Sequence, residues 1–368
     1  MTDRLCRFLM ILLFVPVVLT GCSRPPELIG IDNPTMPAES VADVTRHQIF
    51  IMSTRQSSEV VGAFYSGLRA PELGLASVDV TVPPNHVVGG LERAKRMPPD
   101  PRKEFAIVDP IIYRNDASFV AQINRELAKR PPGERKILLF VHGYNNTASD
   151  ALLRLTQFVQ DTGYQGVPVL FTWASAAKAP RYVYDLNSAL IARGKLKELS
   201  DVLASTRAEG VDIFAHSMGT FLTMEGLVDA AQAGRLGTRK NIDHIVLASP
   251  DIDIDLFRTQ IALLPKAIVD KMYVLISKDD SALRFSRKIA GGVPRVGAAD
   301  AAELEKLGVT VVDLSDVNDS SSGSHSKFAG SPEVVKLIGA GLNSVGRFGD
   351  SPSLGQFLTG VPIRIFGN

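Results

Sequence analysis

Cysteine is almost missing from this chain. Its 368 residues carry two, Cys6 and Cys22. Neither a disulfide framework nor a thiol-based zinc site fits so few thiols, so stability has to come from core packing. An excess of one charge is missing too. Forty Lys and Arg stand against 39 Asp and Glu, a formal net charge of +1. That balance gives no electrostatic reason to expect a nucleic-acid partner. There is no His-Glu-x-x-His, no Cys-x-x-Cys and no Gly-x-x-x-x-Gly-Lys-Ser/Thr. Zinc-protease, redox and phosphate-loop chemistries are therefore without support, and no metal or cofactor is expected. Internal repeats and long low-complexity tracts are absent as well. With 45% hydrophobic and 21% charged residues, the chain has the make-up of a globular protein able to bury one large core or two modest ones.

No apolar run is long enough for a comfortable membrane span. Phe8 to Leu19 is about 12 residues, against the roughly 20 a transmembrane helix needs. Arg4 and Arg7 precede it, and Leu19-Thr20-Gly21-Cys22 closes it. This is the pattern of a lipoprotein signal peptide over residues 1–21, with Cys22 as the lipidated first residue. Cleavage would remove Cys6 and lipidation would consume Cys22, leaving no free thiol. Acyl chains on Cys22 would hold the protein to a membrane, at about 0.8 kcal/mol per buried CH₂. Ser23 follows Cys22, without the aspartate that retains enteric lipoproteins at the inner membrane. The expected location is the bacterial cell envelope, facing the periplasm or the exterior. Residues 22–46, rich in proline and small polar residues, read as a tether. Residues 47–345 read as the domain, and 346–368 as a C-terminal tail.

Within the domain, strand-like and helix-like segments alternate. Strands are expected at 48–52, 76–82, 136–141, 167–173, 211–215, 242–248, 271–277 and 309–314. The second should be antiparallel near an edge. Helical spacing covers 116–130, 148–160, 186–207, 218–233, 254–264, 281–290 and 332–343. Continuous apolar strands separated by helices predict an α/β fold: a doubly wound, mostly parallel sheet of about eight strands, with function gathered at the carboxyl ends of the strands.

The most informative stretch is Val211-Asp212-Ile213-Phe214-Ala215-His216-Ser217-Met218-Gly219-Thr220. An apolar strand runs into a small-x-Ser-x-small turn and then a helix. Such a turn lifts a serine hydroxyl above the sheet and makes Ser217 a candidate nucleophile. Alanine at 215 replaces the usual glycine, a mild departure. At the end of another strand, His142-Gly143-Tyr144 lets a backbone amide turn toward the same point. The Tyr144 and Met218 amides would then form an oxyanion hole. Only His244 and His325 follow Ser217 in the chain. His244 falls at the amino end of its strand. His325, in a Ser/Gly loop at the carboxyl end, is the candidate base. The candidate acid is Asp280, with Asp251 the alternative; Asp251 could instead cap a helix. Asp279 is expected to be exposed. His216 should point away from the Ser217 hydroxyl. Tyr182 and Tyr184 could line a pocket or cover the core.

Beyond these local readings, the chain from about residue 47 to 342 resembles a bacterial family of α/β-hydrolases of unknown function. The likeness runs through Phe140-Val141-His142-Gly143-Tyr144-Asn145-Asn146, Gly166 to Trp173, and Tyr182-Val183-Tyr184-Asp185. It continues through Ala215 to Gly219, Ser249-Pro250-Asp251-Ile252-Asp253 and Asp279-Asp280-Ser281-Ala282-Leu283. The resemblance implies the α/β-hydrolase fold and a serine-hydrolase site, and supports Asp280; it implies no substrate. The expected activity is hydrolysis of an ester or thioester on a small-molecule or lipid-like acyl substrate. Acyl transfer on the same triad, and a non-catalytic lipoprotein on a hydrolase scaffold, are the alternatives.

Overall fold

The computed structural model describes residues 27–236, 241–318, 324–344 and 362–367. The expected signal peptide, Cys22, most of the tail and part of the loop before His325 lie outside them. Ten strands form one sheet: β1 (Thr45–Ser57), β2 (Tyr65–Val82), β3 (Ala106–Tyr113), β4 (Lys136–Val141), β5 (Val167–Thr172), β6 (Gly210–His216), β7 (Ile242–Ala248), β8 (Met272–Ile276), β9 (Thr310–Asp313) and β10 (Arg364–Phe366). Their order is β10-β9-β8-β7-β6-β4-β5-β1-β2-β3. From β9 across to β1 every pairing is parallel; β10, β2 and β3 pair antiparallel at the two edges.

The fold class is α/β, as the alternation predicts, but the sheet has ten strands rather than about eight. The two extra strands have readable causes. β3 contains Asp109 and Pro110, which speak against a strand in sequence. Proline lacks an amide donor, and it is tolerated here because β3 is an edge strand with a free side. β10 is three residues long, too short to carry a periodic signal, and it lies in the stretch read as a tail.

Helices of eight residues or more are numbered α1 (Asp116–Ala128), α2 (Ala148–Thr162), α3 (Tyr182–Arg193), α4 (Leu196–Ala204), α5 (Met218–Gln232), α6 (Ile254–Ala262), α7 (Ser281–Ile289) and α8 (Pro332–Leu342). Central strands are apolar throughout because both faces are covered. Along β4, Leu139 and Val141 join the core on one face, while Leu138 and Phe140 join the core on the other. On the second face Phe140, Phe158, Phe214 and Phe328 pack ring against ring, with centroids 4.5–6.2 Å apart. α2 begins at a capping box, Thr147 with Asp150, and ends on Gly163 at φ 61°. That fixes where the chain leaves the carboxyl end of β4.

The segment 27–46 is not a free tether. Leu28, Ile29 and Ala38 are buried. Ile29 bridges Ile107 on β3, and the Leu28 amide donates to Ser149 Oγ. Averaged over a Pro-rich stretch, two adjacent apolar residues leave no compositional mark.

The connection between β2 and β3 is pinned by His86. Its Nδ1 lies 2.7 Å from Glu92 and its Nε2 2.7 Å from Asp161. Burial alone would lower the His86 pKa, but the hydrogen bonds to Asp161 and Glu92 outweigh it and raise it. A raised folded-state pKa contributes stability that is complete below the unfolded value near 6.5 and lost as pH climbs through the folded value. The melting-temperature advantage of the wild type over His86→Gln should therefore be largest at mildly acid pH and shrink on going above neutrality. Melts of both proteins across that range check it.

Candidate active site

Ser217 sits where β6 ends and α5 begins. Its backbone is at φ 54°, ψ −124°. A non-glycine residue held there costs about 1–3 kcal/mol and persists only where its surroundings over-determine it. They do so here. The Ser217 amide donates to the Ala248 carbonyl of β7 at 3.0 Å, and its carbonyl accepts from the Asp251 amide at 3.3 Å. Thr220 Oγ1 donates to the same carbonyl at 2.6 Å. The small residues of the motif mark real close approaches. A Cβ added at Gly219 would stand 2.4 Å from the His142 carbonyl oxygen and 2.5 Å from that of Val141. A Cβ on Gly143 would stand 2.8 Å from Ser217 Cβ. The departure at Ala215 is accommodated, its methyl fully buried.

The loop after β4 thus touches the elbow directly. His142 is wholly buried and stacks on Trp173, ring centroids 5.1 Å apart at 13°. Its Nδ1–H donates to the Gly143 carbonyl at 2.8 Å, while Nε2 accepts from the Trp173 amide at 3.2 Å. Burial, then the nearby Arg55 guanidinium, pushes its pKa down to about 3, so the ring is neutral. Arg55, itself buried, donates to Thr172 Oγ1 at 2.7 Å and to the Asn146 carbonyl at 2.8 Å. Asp185 on α3 holds the far side of the loop. Its carboxylate accepts from the Asn145 amide at 3.2 Å, Ser175 Oγ at 2.5 Å and the Ala176 amide at 2.7 Å. Asn145 is itself at φ 60°. The amides of Tyr144 and Met218 donate to no group among the described residues, which leaves both available to an oxyanion.

His325 and Asp280 come together in the fold. His325 Nδ1 lies 2.7 Å from Asp280 Oδ2. Asp280 is fully buried, and its other oxygen accepts from the Leu283 amide at 2.9 Å, capping α7. With Nδ1–H on the carboxylate, Nε2 keeps its lone pair. The Ser217 hydroxyl makes no hydrogen bond to the His325 ring in this structure; nucleophile–base contacts are often loose before substrate binds. His216 makes no hydrogen bond to the Ser217 hydroxyl, but it is not idle. Its Nε2–H donates to the His325 carbonyl at 3.0 Å, and its ring lies 4.7 Å from that of His325 and 4.8 Å from that of Phe328. Burial and then the neighbouring His325 keep its pKa far below the ordinary value, so it is a neutral positioning residue.

A second link runs parallel to the first. Lys327, 1% exposed, donates to both Asp279 oxygens at 2.8 and 3.0 Å and to the Leu314 carbonyl at 2.9 Å. Ser324 Oγ also reaches Asp279 at 2.5 Å. Burial would raise the Asp279 pKa, but hydrogen bonds from Lys327, Ser277 and Ser324 hold it at about 2. Asp279 is half exposed, and it grips the segments on both sides of His325.

Asp251 is spoken for elsewhere. Its Oδ2 accepts from the Tyr182 hydroxyl at 3.0 Å, and its Oδ1 accepts from Ser286 Oγ and lies 3.2 Å from Arg295 Nε. Nor does it cap a helix; Asp253 does that for α6. Tyr182 is buried and packs edge-on against Tyr144 at 5.3 Å, whereas Tyr184 donates to the Gly67 carbonyl and stacks under Arg69. His244 lies at the amino end of the sheet, paired at 2.7 Å with Asp212, which also accepts from Tyr164. An apolar cavity of about 250 Å³ between α4, α5 and the sheet is lined by Leu139, Leu199, Leu203, Ile213 and Leu227. Ser217, His325, Asp280, Tyr144 and Met218 do not line it. Among the described residues no group of three or more His, Cys, Asp or Glu is arranged to hold a metal ion.

Sequence reasoning missed Arg55, Asp185, Lys327 and the grip of His216 on His325. A charged residue inside an otherwise apolar stretch was the one available signal, and it does not say which partner the charge meets.

Parallel strands, flanking helices and a serine on a strained strand-to-helix turn define an α/β hydrolase. The chain belongs to a family described as alpha/beta hydrolases of unknown function (DUF900), matched over residues 115–341. The match begins near α1, so β1 to β3 precede it. No curated protein matches the sequence significantly. Among solved structures, an esterase from the fungus Rhizomucor miehei is 13% identical, covering 85% of this chain and 84% of that one, with a TM-score of 0.35. An esterase from Pyrobaculum calidifontis is 14% identical, covering 62% and 93%, with a TM-score of 0.31. Likenesses that distant carry no argument about chemistry.

The close approach at Gly219 is directly testable. Gly219→Ala should push α5 off the end of β4, lowering the denaturant midpoint by an amount equivalent to about 1–3 kcal/mol. The same variant should slow labelling of Ser217 by a fluorophosphonate.

Proposed function

We propose that this protein is a serine hydrolase of esters or thioesters that works through an acyl-enzyme. The observation that carries the reading is the Ser217 backbone at φ 54°, in a turn whose neighbours are shaped to keep it there. Strain of that kind, at the carboxyl end of a parallel sheet, fits a nucleophile better than a packing residue. The His325–Asp280 pair on one side and two uncommitted amides on the other support the same reading.

In the proposed reaction Ser217 Oγ attacks the acyl carbonyl carbon while His325 Nε2 takes its proton. Asp280 holds the imidazole in the needed tautomer and stabilises the imidazolium. The amides of Tyr144 and Met218 bind the oxyanion, each worth about 3 kcal/mol in such sites. Collapse expels the alcohol or thiol, which takes the proton from His325. Water then repeats the sequence on the acyl-enzyme and frees the acid. Held neutral by their surroundings, His142 and His216 put no competing positive charge beside the imidazolium. Cys22 carries the lipid that keeps the enzyme at the envelope.

Fluorophosphonate should modify the folded protein at Ser217 and leave Ser217→Ala unlabelled; a Ser217→Ala protein with full esterase turnover would sink the mechanism. Asp280→Asn should lower kcat by about 10³–10⁴-fold, as expected when the wrong imidazole tautomer is imposed. Asp251→Asn should cost far less. For the anchor, Cys22→Ser should move the protein from the membrane to the soluble fraction.

A further inference from the structure

We propose that the tip of the β1–β2 hairpin, with Val60 and Val61 at its apex, is the surface that lies against the bilayer holding the protein's own N-terminus. The proposal rests on the reading of Cys22 as the lipidated residue. Four observations carry it.

The first is the length of chain available. The docked part of the chain begins at Glu27 and Leu28, so five peptide units separate Cys22 from Glu27. At full extension they reach about 18 Å. A domain of this size has a radius of gyration of about 20 Å, so its far side stands well beyond that reach. The side where Leu28 docks must face the lipid.

The second is what stands beside that point. The Ile29 amide donates to the Gly62 carbonyl at 2.8 Å. A Cβ on Gly62 would lie 2.3 Å from the Glu27 carbonyl oxygen. The hairpin tip and the emerging chain are thus in contact.

The third is the chemistry of the tip. Val60 is 69% exposed and Val61 73%, with Leu68 on the returning strand at 55%. Two adjacent valines at the apex of a hairpin touch no core. They would not hold a protein to a membrane alone, but an anchor a few residues away makes their insertion an intramolecular event.

The fourth is continuity with the site. Leu28 is bound to Ser149 in the first turn of α2, which directly follows the Tyr144 loop. Arg55, near the tip end of the same hairpin, holds the Asn146 carbonyl. A bilayer against the tip therefore lies on the side of the sheet from which Ser217 is reached.

The test couples the chain from Cys22 onward, through its only thiol, to maleimide-bearing phospholipid vesicles. Val61→Trp then reports on the tip. The native Trp173 is fully buried and supplies a constant background. On vesicles of brominated phospholipid, Val61→Trp should show a blue shift and a loss of emission beyond that of the wild type. Lys306→Trp, exposed near the amino end of β9, one strand in from the opposite edge of the sheet, should show neither. Should Val61→Trp fail to fold, Val60→Trp reads the same surface. Emission of the tip variant unchanged by brominated lipid, or quenched no more than Lys306→Trp, overturns the proposal. Because the attachment is chemical, this outcome is independent of whether cells lipidate Cys22. Failure of that reading shows only in the fractionation of Cys22→Ser.

Discussion

The closeness of two backbones organises this molecule. The turn carrying Ser217 and the end of β4 approach so nearly that a single methyl group at Gly219 would overlap the carbonyl oxygens of Val141 and His142. Gly143 meets the serine from the other direction. This contact fixes the unfavourable Ser217 dihedrals, aims the first amides of α5, and sets the distance to the Tyr144 amide. Interiors packed at crystal density transmit such constraints without slack.

Around that contact, polar groups are arranged in layers. His142 is buried, neutral and fully satisfied, and its role is to hold Gly143 and the loop that follows. Asp185 and Arg55 hold the same loop from helix α3 and strand β1. On the opposite side, Asp280 and Asp279 are neighbours in sequence with different tasks. Asp280 is buried and faces the His325 ring while capping α7. Asp279 is half exposed and secures Lys327 and Ser324 on either side of that histidine. A histidine on a Ser/Gly loop thereby acquires the positional definition a strand would give it, as the proposed proton transfer requires.

The edge strands are a different part of the story. The family match begins at residue 115, and β1, β2 and β3 precede it. These strands extend the core on both faces and carry the hairpin against which the N-terminal segment docks. Their antiparallel pairing lets one edge of a mostly parallel sheet reach beyond the ends of its central strands.

The sequence by itself determined the alternation of elements, six of the eight numbered helices to within a few residues, and the serine turn. Each of those is written in local terms: an apolar period, a capping residue, a small residue at a fixed offset. The remaining two lie in the region read as one helix over 186–207, which is α3 and α4 separated by Gly194 and Lys195. β3 was hidden by its proline, β10 by its brevity, and the docking of Leu28 and Ile29 by a proline-rich context. For the site, Ser217 was legible because its geometry is local. The partners of His325 were not. Asp280 and Asp251 both follow strands at the correct edge of the sheet, and the sequence favours Asp280 only by its place after the later strand and by the family resemblance. The folded chain adds that Tyr182, Ser286 and Arg295 converge on Asp251 from three separate segments, while Asp280 faces the imidazole. Pairing between charges far apart in sequence depends on where the backbone brings them, and that is a property of packing.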